Sequence, residues 1–295
     1  MPELPDVVVY VERLVPLVLG QPLVRVHLAS PFVLRTVDPA MAEVQGRSVT
    51  GVHRLGKRIV LELEGELFLV IHLMIAGRLR WRAPGKNLRG KMVLAEFTFP
   101  DGTLYLTEAG SKRRASIHAV RGTAALAAFE RGGLEVLGAS LAEFSQRLRS
   151  ENHTLKRSLT DPRLMSGIGN AYSDEILHRA RLSPLMLSSR IDDEQVAQLY
   201  EAVRSTLTEW TDRLRAEAGS ALPEKVTAFH AEMAVHGRFK QPCPVCGAPV
   251  QRIRYAENET NYCARCQTGG RVLADRSLSR LLKDDWPRNI DEWEV

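Results

Sequence analysis

The four cysteines of this 295-residue chain all lie between Cys243 and Cys266, and they form two C-x2-C pairs separated by sixteen residues. Two such pairs at this distance are typical of one zinc ion bound by four thiolates. Four free thiols or a redox pair are the alternatives, since disulfides are rare in a reducing compartment. Four thiolates leave no open ligand position. The sequence therefore predicts one structural Zn²⁺, with the ligands Cys243, Cys246, Cys263 and Cys266.

The stretch between the two cysteine pairs has the pattern of a β-hairpin. Apolar residues alternate with polar ones at Val250, Ile253 and Tyr255, and again before Tyr262, while Asn258 and its polar neighbours suit a turn. A hairpin returns the second cysteine pair to the first. Because so short a stretch has no core of its own, the metal is expected to supply the stability of this module.

Length and composition exclude several protein classes. Apolar residues make up 44% and charged residues 25% of the chain, which is ordinary for a globular protein of one or two domains with small modules. No apolar run is long enough to cross a membrane. Glu3 and Asp6 stand where a secretory signal would carry positive charge, so we expect a cytoplasmic protein. The net charge of +5 is compatible with a nucleic-acid partner.

The first part of the chain predicts one helix followed by strands. Apolar residues recur at helical spacing over 5–19, although Pro16 leaves open a strand at the start. Turn residues then separate short strand-like runs, and these favour a β-sandwich or barrel. The predicted strands are Arg58 to Leu63, Leu67 to Leu73, Met92 to Phe99 and Thr103 to Thr107.

The pattern becomes helical after Gly132-Gly133. We expect helices over 141–150, 152–160, 170–181 and 192–217, the last capped by Asp192, and then an irregular connector over 218–234. Gly167 and Gly169 lie between the second and third of these helices. Their exposed backbone N–H groups are suited to a phosphate, while a plain interhelical loop is the alternative.

Four features occur in the order found in one enzyme family. They are the start Met1-Pro2-Glu3-Leu4-Pro5, a lysine in Gly56-Lys57-Arg58, a Gly-x-Gly-Asn hairpin ending at Asn170, and the zinc cysteines. Over residues 2–268 the chain thereby resembles the formamidopyrimidine-DNA glycosylase and endonuclease VIII family. The resemblance implies an α+β fold: an N-terminal β-sandwich, a helix-two-turn-helix domain and a C-terminal zinc ribbon.

We accordingly expect four segments. They are an N-terminal catalytic domain over 1–132, the helix-two-turn-helix DNA-binding domain over 133–234, the zinc finger over 235–270 and a charged tail over 271–295. In the tail, a short helix over 275–284 that docks on the body is one interpretation. A protein-partner site around Trp286 and Trp293 is the other.

The resemblance implies removal of a damaged base and cleavage of the resulting abasic site by β(,δ)-elimination. An N-terminal amine has a pKa of roughly 8, against roughly 10.4 for lysine, so part of it is nucleophilic near neutral pH. Once Met1 is removed, the secondary amine of Pro2 would form a cationic iminium with the sugar. Glu3 would move protons, and Lys57 would help base release. Without the resemblance, these would be a frayed terminus and a surface lysine.

The resemblance also implies the residues that hold damaged duplex DNA. A wedge that fills the gap left by an extruded nucleotide maps to Ile75, with Met74 beside it, unless both pack in the sandwich core. The companion loop carries cations but no aromatic residue, and Asn258 stands between two glutamates where the family has an arginine. Arg252, Arg254 or Arg265 would replace that arginine. The remaining candidates for DNA contact are Lys112, Arg113, Arg114, Lys156, Gly167, Gly169 and Asn170.

Two functions follow from these residues. The first is a monomeric, bifunctional DNA glycosylase and abasic-site lyase that acts on duplex DNA with a damaged base or abasic site, without a membrane partner. The second is a non-catalytic or weakly catalytic protein of the same fold that binds damaged DNA. Pro2, Glu3 and Lys57 favour the first, whereas Asn258 favours the second. The sequence leaves open the preferred lesion and the preferred opposite base.

Overall fold

The structure, a computed structural model, describes residues 1–110, 112–223, 230–255, 258–275 and 288–292. It divides into two compact units. The first comprises Met1–Arg131 with Trp210–Thr227, and the second comprises Gly132–Glu209 with Ala228–Val295. Within the described ranges, no helix is both long and apolar enough to cross a bilayer. Most of the tail helix predicted over 275–284, together with Trp286 and Trp293, lies outside the described residues.

The first unit begins with the predicted helix, α1 (Leu4–Val18). The backbone N–H of Glu3, the N-cap residue, donates to a carboxylate oxygen of Asp6 at 2.9 Å. This backbone donor at the helix start therefore has an acceptor. Pro16 lies inside the helix without ending it, so the helical interpretation is confirmed over a strand. One apolar face is fully buried: Val7, Tyr10, Leu14 and Val18.

The predicted β-sandwich is confirmed as two antiparallel four-stranded sheets around one core, into which α1 also packs. The first sheet has the order β1 (Arg25–Leu28), β6 (Val93–Phe99), β7 (Gly102–Glu108), β5 (Gly77–Arg82). The second has the order β2 (Val49–Leu55), β3 (Arg58–Leu63), β4 (Leu67–His72), β8 (Ser116–Arg121). Two short helices, α2 (Met41–Val44) and α3 (Thr123–Ala127), complete this part of the unit.

Strand register brings three loops to one end of the sandwich. Arg58 at the start of β3 faces His72 at the end of β4, which in turn faces Ser116 at the start of β8. In the other sheet, Gly77 at the start of β5 faces Glu108 at the end of β7. The β2–β3 turn, the β4–β5 loop and the β7–β8 loop therefore lie together, although they are far apart in the sequence.

The second unit contains the predicted helices. They are α4 (Leu141–Arg149), α5 (Leu155–Thr160), α6 (Asn170–Arg179) and α7 (Asp193–Ala218), the last of which ends in the first unit. The predicted cap of α7 is confirmed, because a carboxylate oxygen of Asp192 accepts the N–H of Gln195 at 2.8 Å.

The zinc module is the predicted antiparallel hairpin, β9 (Gln251–Tyr255) and β10 (Asn258–Tyr262), followed by α8 (Ala264–Thr268). The described parts of the tail dock on this module. The N–H of Val272 donates to the carbonyl of Arg288 at 2.9 Å, and the N–H of Ile290 donates to that of Gly270 at 2.8 Å. Val272, Leu273 and Ile290 are buried in the same small core as the hairpin.

A buried carboxylate of α6 fixes the segment that enters the zinc module. Glu175 accepts the backbone N–H groups of Ala234 at 2.7 Å, Val235 at 2.9 Å and His236 at 2.9 Å. Burial raises the pKa of Glu175, whereas these three hydrogen bonds favour its charged form. Three backbone donors that lie outside any helix or strand are thereby satisfied by one side chain.

We predict that Glu175→Ala destabilises this segment locally. Each buried N–H left without an acceptor costs about 1–3 kcal/mol, so the amides of residues 234–236 should exchange with solvent at least about tenfold faster. Hydrogen–deuterium exchange with mass spectrometry measures this. Glu201→Ala, at an exposed position of α7, is the matched control. Unchanged exchange at residues 234–236 in the Glu175 variant would contradict the assignment.

Candidate functional site

The chain start is buried rather than frayed. Pro2 and Glu3 are both buried, with Glu3 only 2% exposed, whereas Met1 is half-buried. The hydrogen bond from the Glu3 N–H to Asp6 fixes the backbone at the first turn of α1. A terminus held in this way presents its amine in one place, as a positioned nucleophile requires.

The amine at the chain start lies among charged groups. Burial is the main cause that lowers the pKa of the Met1 amine, and the charges of Arg78 and Lys57 lower it further. The carboxylates of Glu3 and Asp6 act in the opposite direction. Lys57 is half-buried in the β2–β3 turn. The structure thus brings together the chain start, Glu3 and Lys57, which the sequence analysis names as catalytic candidates.

His72, at the end of β4, is a neutral imidazole at this end of the sandwich. Burial, together with the charges of Arg58, Lys57 and His118, lowers the pKa of His72 to about 4. A neutral ring carries one N–H donor and one acceptor. Sequence reasoning did not single out His72 as a site residue, although its place directly before the apolar loop was a signal.

The β4–β5 loop presents one apolar side chain to solvent. Leu73 is buried, whereas Ile75 is 53% exposed and therefore does not pack in the sandwich core. The N–H of Gly77 donates a hydrogen bond to the carbonyl of Leu73 at 2.9 Å, which closes this loop. A Cβ at Gly77 would lie 2.2 Å from that oxygen, so only glycine fits. Met74, half-buried with φ +53°, lies beside Ile75 as the sequence suggested.

The β7–β8 loop carries the three consecutive cations. Lys112, Arg113 and Arg114 are all exposed. A carboxylate fixes the end of this loop: Glu108, 2% exposed, accepts the N–H of Arg114 at 2.9 and 3.0 Å and that of Ala115 at 2.9 Å. Glu108 was not foreseen, and an acidic residue directly before a cationic loop was the available signal.

In the second unit, the Gly-x-Gly-Asn hairpin leads into α6. Gly167 has φ +81°, which favours glycine, and Gly169 is the N-cap residue. Asn170 is the first residue of α6. Its side-chain amide donates to the carbonyl of Glu259 on the zinc hairpin at 2.8 Å. The contact ties the glycine hairpin to the zinc hairpin within this unit.

Lys156 lies next to Asn170 but is held by the protein. Its ammonium donates to the Asn170 carbonyl at 2.7 Å and to Asp174 at 2.5 Å, and its side chain is only 12% exposed. The other oxygen of Asp174 contacts the ring of His236 at 2.7 Å. The structure thus brings Lys156 and Asn170 together, with much of the lysine charge already compensated.

Asn258 is exposed at the start of β10, where it pairs with Tyr255 across the hairpin. Of the arginines proposed as substitutes nearby, Arg254 is exposed. Its backbone N–H donates to Asp275 at 2.7 Å. The hairpin end therefore carries a neutral amide, with a guanidinium four positions earlier in the sequence.

The other two candidate arginines have carboxylate partners. Arg252 lies 3.5 Å from Glu259 and stacks over the ring of Phe239, with 4.1 Å from the guanidinium carbon to the ring centroid. Arg265 pairs with Asp291 at 2.8 Å. Both cations are therefore engaged within the zinc module.

The four cysteine sulfurs fit one metal ion. All four Sγ atoms lie within 4.8 Å of one another, as expected for a tetrahedral site with Zn–S distances of about 2.3 Å. Burial raises the pKa of Cys263 and raises that of Cys266 to about 11. Zinc would hold these sulfurs as thiolates and displace their protons.

A histidine from α6 contacts the metal site. The Nε2 atom of His178, which is 6% exposed, lies 3.2 Å from the sulfur of Cys243. Burial, with the charges of Arg181 and Arg179, lowers the pKa of His178 to about 4. The neutral ring can therefore donate an Nε2–H to the thiolate. Sequence reasoning missed this contact, because 65 residues separate the two side chains.

Three family models match the chain in order. They are the formamidopyrimidine-DNA glycosylase N-terminal domain over residues 1–114, the formamidopyrimidine-DNA glycosylase H2TH domain over 137–216, and the zinc finger found in FPG and IleRS over 240–269. The chain belongs to the formamidopyrimidine-DNA glycosylase family. This is a family of bifunctional DNA glycosylases and abasic-site lyases with one structural zinc, so the predicted family, enzyme class and metal are confirmed.

The similarity to family members extends over most of the chain. The formamidopyrimidine-DNA glycosylase of Thermus thermophilus is 36% identical, covering 92% of this chain and all of the relative. That of Solibacter usitatus is 32% identical over 90% of this chain and 99% of the relative.

Solved structures of family members have the same fold. The crystal structure of MutM (Fpg) from Thermus thermophilus has a TM-score of 0.76 at 34% identity, covering 90% of this chain and 98% of the other. The Lactococcus lactis Fpg, in complex with DNA that contains an abasic site, has a TM-score of 0.80 at 24% identity over 90% and 99%.

We predict that His178→Phe weakens zinc binding. Loss of a hydrogen bond to a metal ligand typically lowers metal affinity about tenfold or more. The rate of zinc release to a chromogenic chelator measures the effect. His153→Phe is a matched control, because its ring contacts Glu151 rather than a cysteine. Equal release rates for the His178 variant and the wild type would contradict a role for this contact.

Proposed function

We propose that this chain excises damaged bases from duplex DNA and cleaves the abasic site, with Pro2 as the nucleophile once Met1 is removed. The observation that carries the proposal is the buried, positioned chain start beside Glu3 and Lys57. We further propose that the protein acts as a monomer in the cytoplasm, without a membrane partner.

The reaction begins with attack of the Pro2 nitrogen on C1′ of the damaged nucleotide. A C–N bond forms, the glycosidic bond breaks, and the base leaves with a proton. The C1′–O4′ bond then breaks, the ring oxygen takes a proton, and the secondary amine becomes an iminium cation, which acidifies the C2′ hydrogens. Removal of a C2′ proton breaks the C3′–O bond and releases the phosphate, which completes β-elimination. Attack by water at C1′ then hydrolyses the iminium and frees the Pro2 amine.

The neighbouring charges suit these steps. Glu3, one residue from the nucleophile, would deliver a proton to the ring oxygen as the sugar opens and later accept one. Lys57 would contact the target nucleotide and favour departure of the base. On the pKa of the Met1 amine, burial has the largest effect and lowers it, the charge of Glu3 raises it, and that of Lys57 lowers it.

The exposed loops would hold the DNA around the lesion. Ile75, with Met74 beside it, would fill the space left by the extruded nucleotide, since an apolar side chain is presented there. The cations of the β7–β8 loop, Lys112, Arg113 and Arg114, would contact phosphates or the opposite strand. In the second unit, backbone phosphates would be held by Lys156, Gly167, Gly169, Asn170 and Asn258.

A second candidate function is a non-catalytic or weakly catalytic protein that binds damaged DNA. The end of the zinc hairpin favours it. Asn258 offers no charge-assisted fork for a phosphate, and the neighbouring Glu259 repels one. Arg252 and Arg265 are already paired with carboxylates.

Borohydride trapping separates these two functions. We expect the wild-type protein, incubated with an abasic or oxidised duplex and reduced with borohydride, to form a covalent protein–DNA adduct. Intact mass would show loss of Met1. A form with an uncleavable N-terminal extension should trap at least about a hundredfold less, because the nitrogen of Pro2 is then an amide and no longer nucleophilic. Absence of an adduct across several lesions and an abasic duplex would leave only the binding function.

We also predict the direction of the pH dependence. Burial lowers the pKa of the Met1 amine, and Pro2 is buried as well, so we expect the Pro2 amine left by Met1 removal to shift in the same direction. The single-turnover trapping rate should therefore rise with pH and level off below the ordinary pKa of about 8. A plateau reached only above that pH would contradict a lowered pKa of the nucleophile.

A further inference from the structure

Arg78 is a buried cation beside the chain start that the proposed mechanism does not use. It follows Gly77 in β5, directly after the loop that presents Ile75, and it is only 5% exposed. Its carbonyl accepts a hydrogen bond from Thr107 on β7 at 3.2 Å, so the backbone at this point is fixed by the sheet. The guanidinium therefore occupies a defined position at the loop end of the sandwich.

One edge of this guanidinium has no hydrogen-bond partner. Nη1 donates to the carbonyl of Gly77. Nε and Nη2 are both buried and bond to nothing among the described residues. A buried N–H without an acceptor costs free energy, and here two N–H groups of one guanidinium are in that state. A buried guanidinium edge without an acceptor is typical of an anion-binding site.

Other arginines of this protein show what that edge binds. Arg163 donates from Nε at 3.1 Å and from Nη2 at 2.7 Å to the carboxylate of Asp161. Arg215 donates from the same two nitrogens, at 2.8 and 2.7 Å, to the carboxylate of Glu12. In the described chain, Arg78 leaves both nitrogens of this fork unpaired and buried.

The location identifies the anion. Arg78 is the second residue of β5, at the end of the sandwich where the Lys57 turn and the Ile75 loop lie, and its charge acts on the Met1 amine. The carboxylates of Glu3 and Asp6 lie in the same region, yet neither is bonded to the open edge. In the proposed reaction, the anion nearest the attacked sugar carbon is a phosphodiester, whose two non-bridging oxygens match a guanidinium fork.

We propose that the Nε–Nη2 edge of Arg78 binds a backbone phosphate adjacent to the extruded nucleotide, through both non-bridging oxygens. The assignment rests on the proposed function, because that function places the damaged nucleotide beside Pro2. It makes Arg78 a substrate-binding residue of the catalytic centre. Since both nitrogens are buried in the DNA-free chain, the contact requires a local opening when the adjoining Ile75 loop engages DNA.

A charge-deletion cycle tests the contact. The probes are three labelled duplexes, each with one tetrahydrofuran abasic analogue. In the first, all phosphates are natural. In the second and third, the phosphate 5′ or 3′ to the analogue, respectively, is replaced by a neutral methylphosphonate. Wild type, Arg78→Met and Arg78→Lys are compared by fluorescence anisotropy. Arg82→Met is the matched control, because Arg82 lies on the same strand and donates to the carbonyl of Trp81 at 2.8 Å.

We expect Arg78→Met to weaken binding to the natural duplex by about ten- to a hundredfold, with Arg78→Lys intermediate. On one of the two methylphosphonate duplexes the effect of Arg78→Met should vanish, because the contacted charge is already absent. Equal affinity of Arg78→Met and wild type, or an equal loss on every duplex, would overturn the proposal.

Two further readouts separate this proposal from its alternatives. Arg78→Met removes two buried N–H groups that have no acceptor, so its melting temperature should not fall, whereas a structural role would lower it. Should that variant fail to fold, the cycle is decided with Arg78→Lys, which keeps the charge but loses the fork. The analogue cannot form a Schiff base. Failure of borohydride trapping with wild type therefore counts against the proposed function and leaves the binding cycle interpretable.

Discussion

The burial of α1 in the sandwich core is the constraint on which the catalytic part of the structure depends. Chain termini are ordinarily the most mobile part of a domain. Here the apolar face of α1 lies in the common core of the sandwich, and Pro2 and Glu3, which precede α1, are buried with it. The position of the amine is therefore set by the hydrophobic packing of a helix of 15 residues, not by contacts of the terminus alone.

Strand pairing positions the three loops of the site relative to one another. Backbone register in two sheets places the Lys57 turn, the Ile75 loop and the cationic loop at the same end. Side chains then fix the loop geometry, as Glu108 does for Arg114 and Ala115. A sheet is a rigid support, so residues distant in sequence keep their relative positions within this unit.

The sequence predicted those features that depend on local pattern. Periodicity predicted α1 and the four helices of the second unit, spacing predicted the four-cysteine site, and Asp192 was recognised as a cap. Pro16 weakened a helix that tertiary packing nevertheless maintains.

Contacts between distant side chains were beyond the reach of local pattern. Between Glu175 and Val235 lie 60 positions of sequence, and between His178 and Cys243 lie 65. The lack of a partner at Arg78 is a property of everything around it, so only a three-dimensional structure shows it. The structure also changes the interpretation of Lys156. The sequence suggests that it contacts a phosphate, but Asp174 already compensates much of its charge.

The docked tail links the C-terminal residues to the metal. Val272, Leu273 and Ile290 share one small core with the cysteine-bearing hairpin, and a backbone bridge joins Arg271 to Asn289. Because metal binding and folding are coupled in modules of this kind, we expect this packing to depend on the bound ion. A chain that has lost its ion would release its C-terminal segment to proteases, and metal shortage in the cell would then appear as C-terminal degradation.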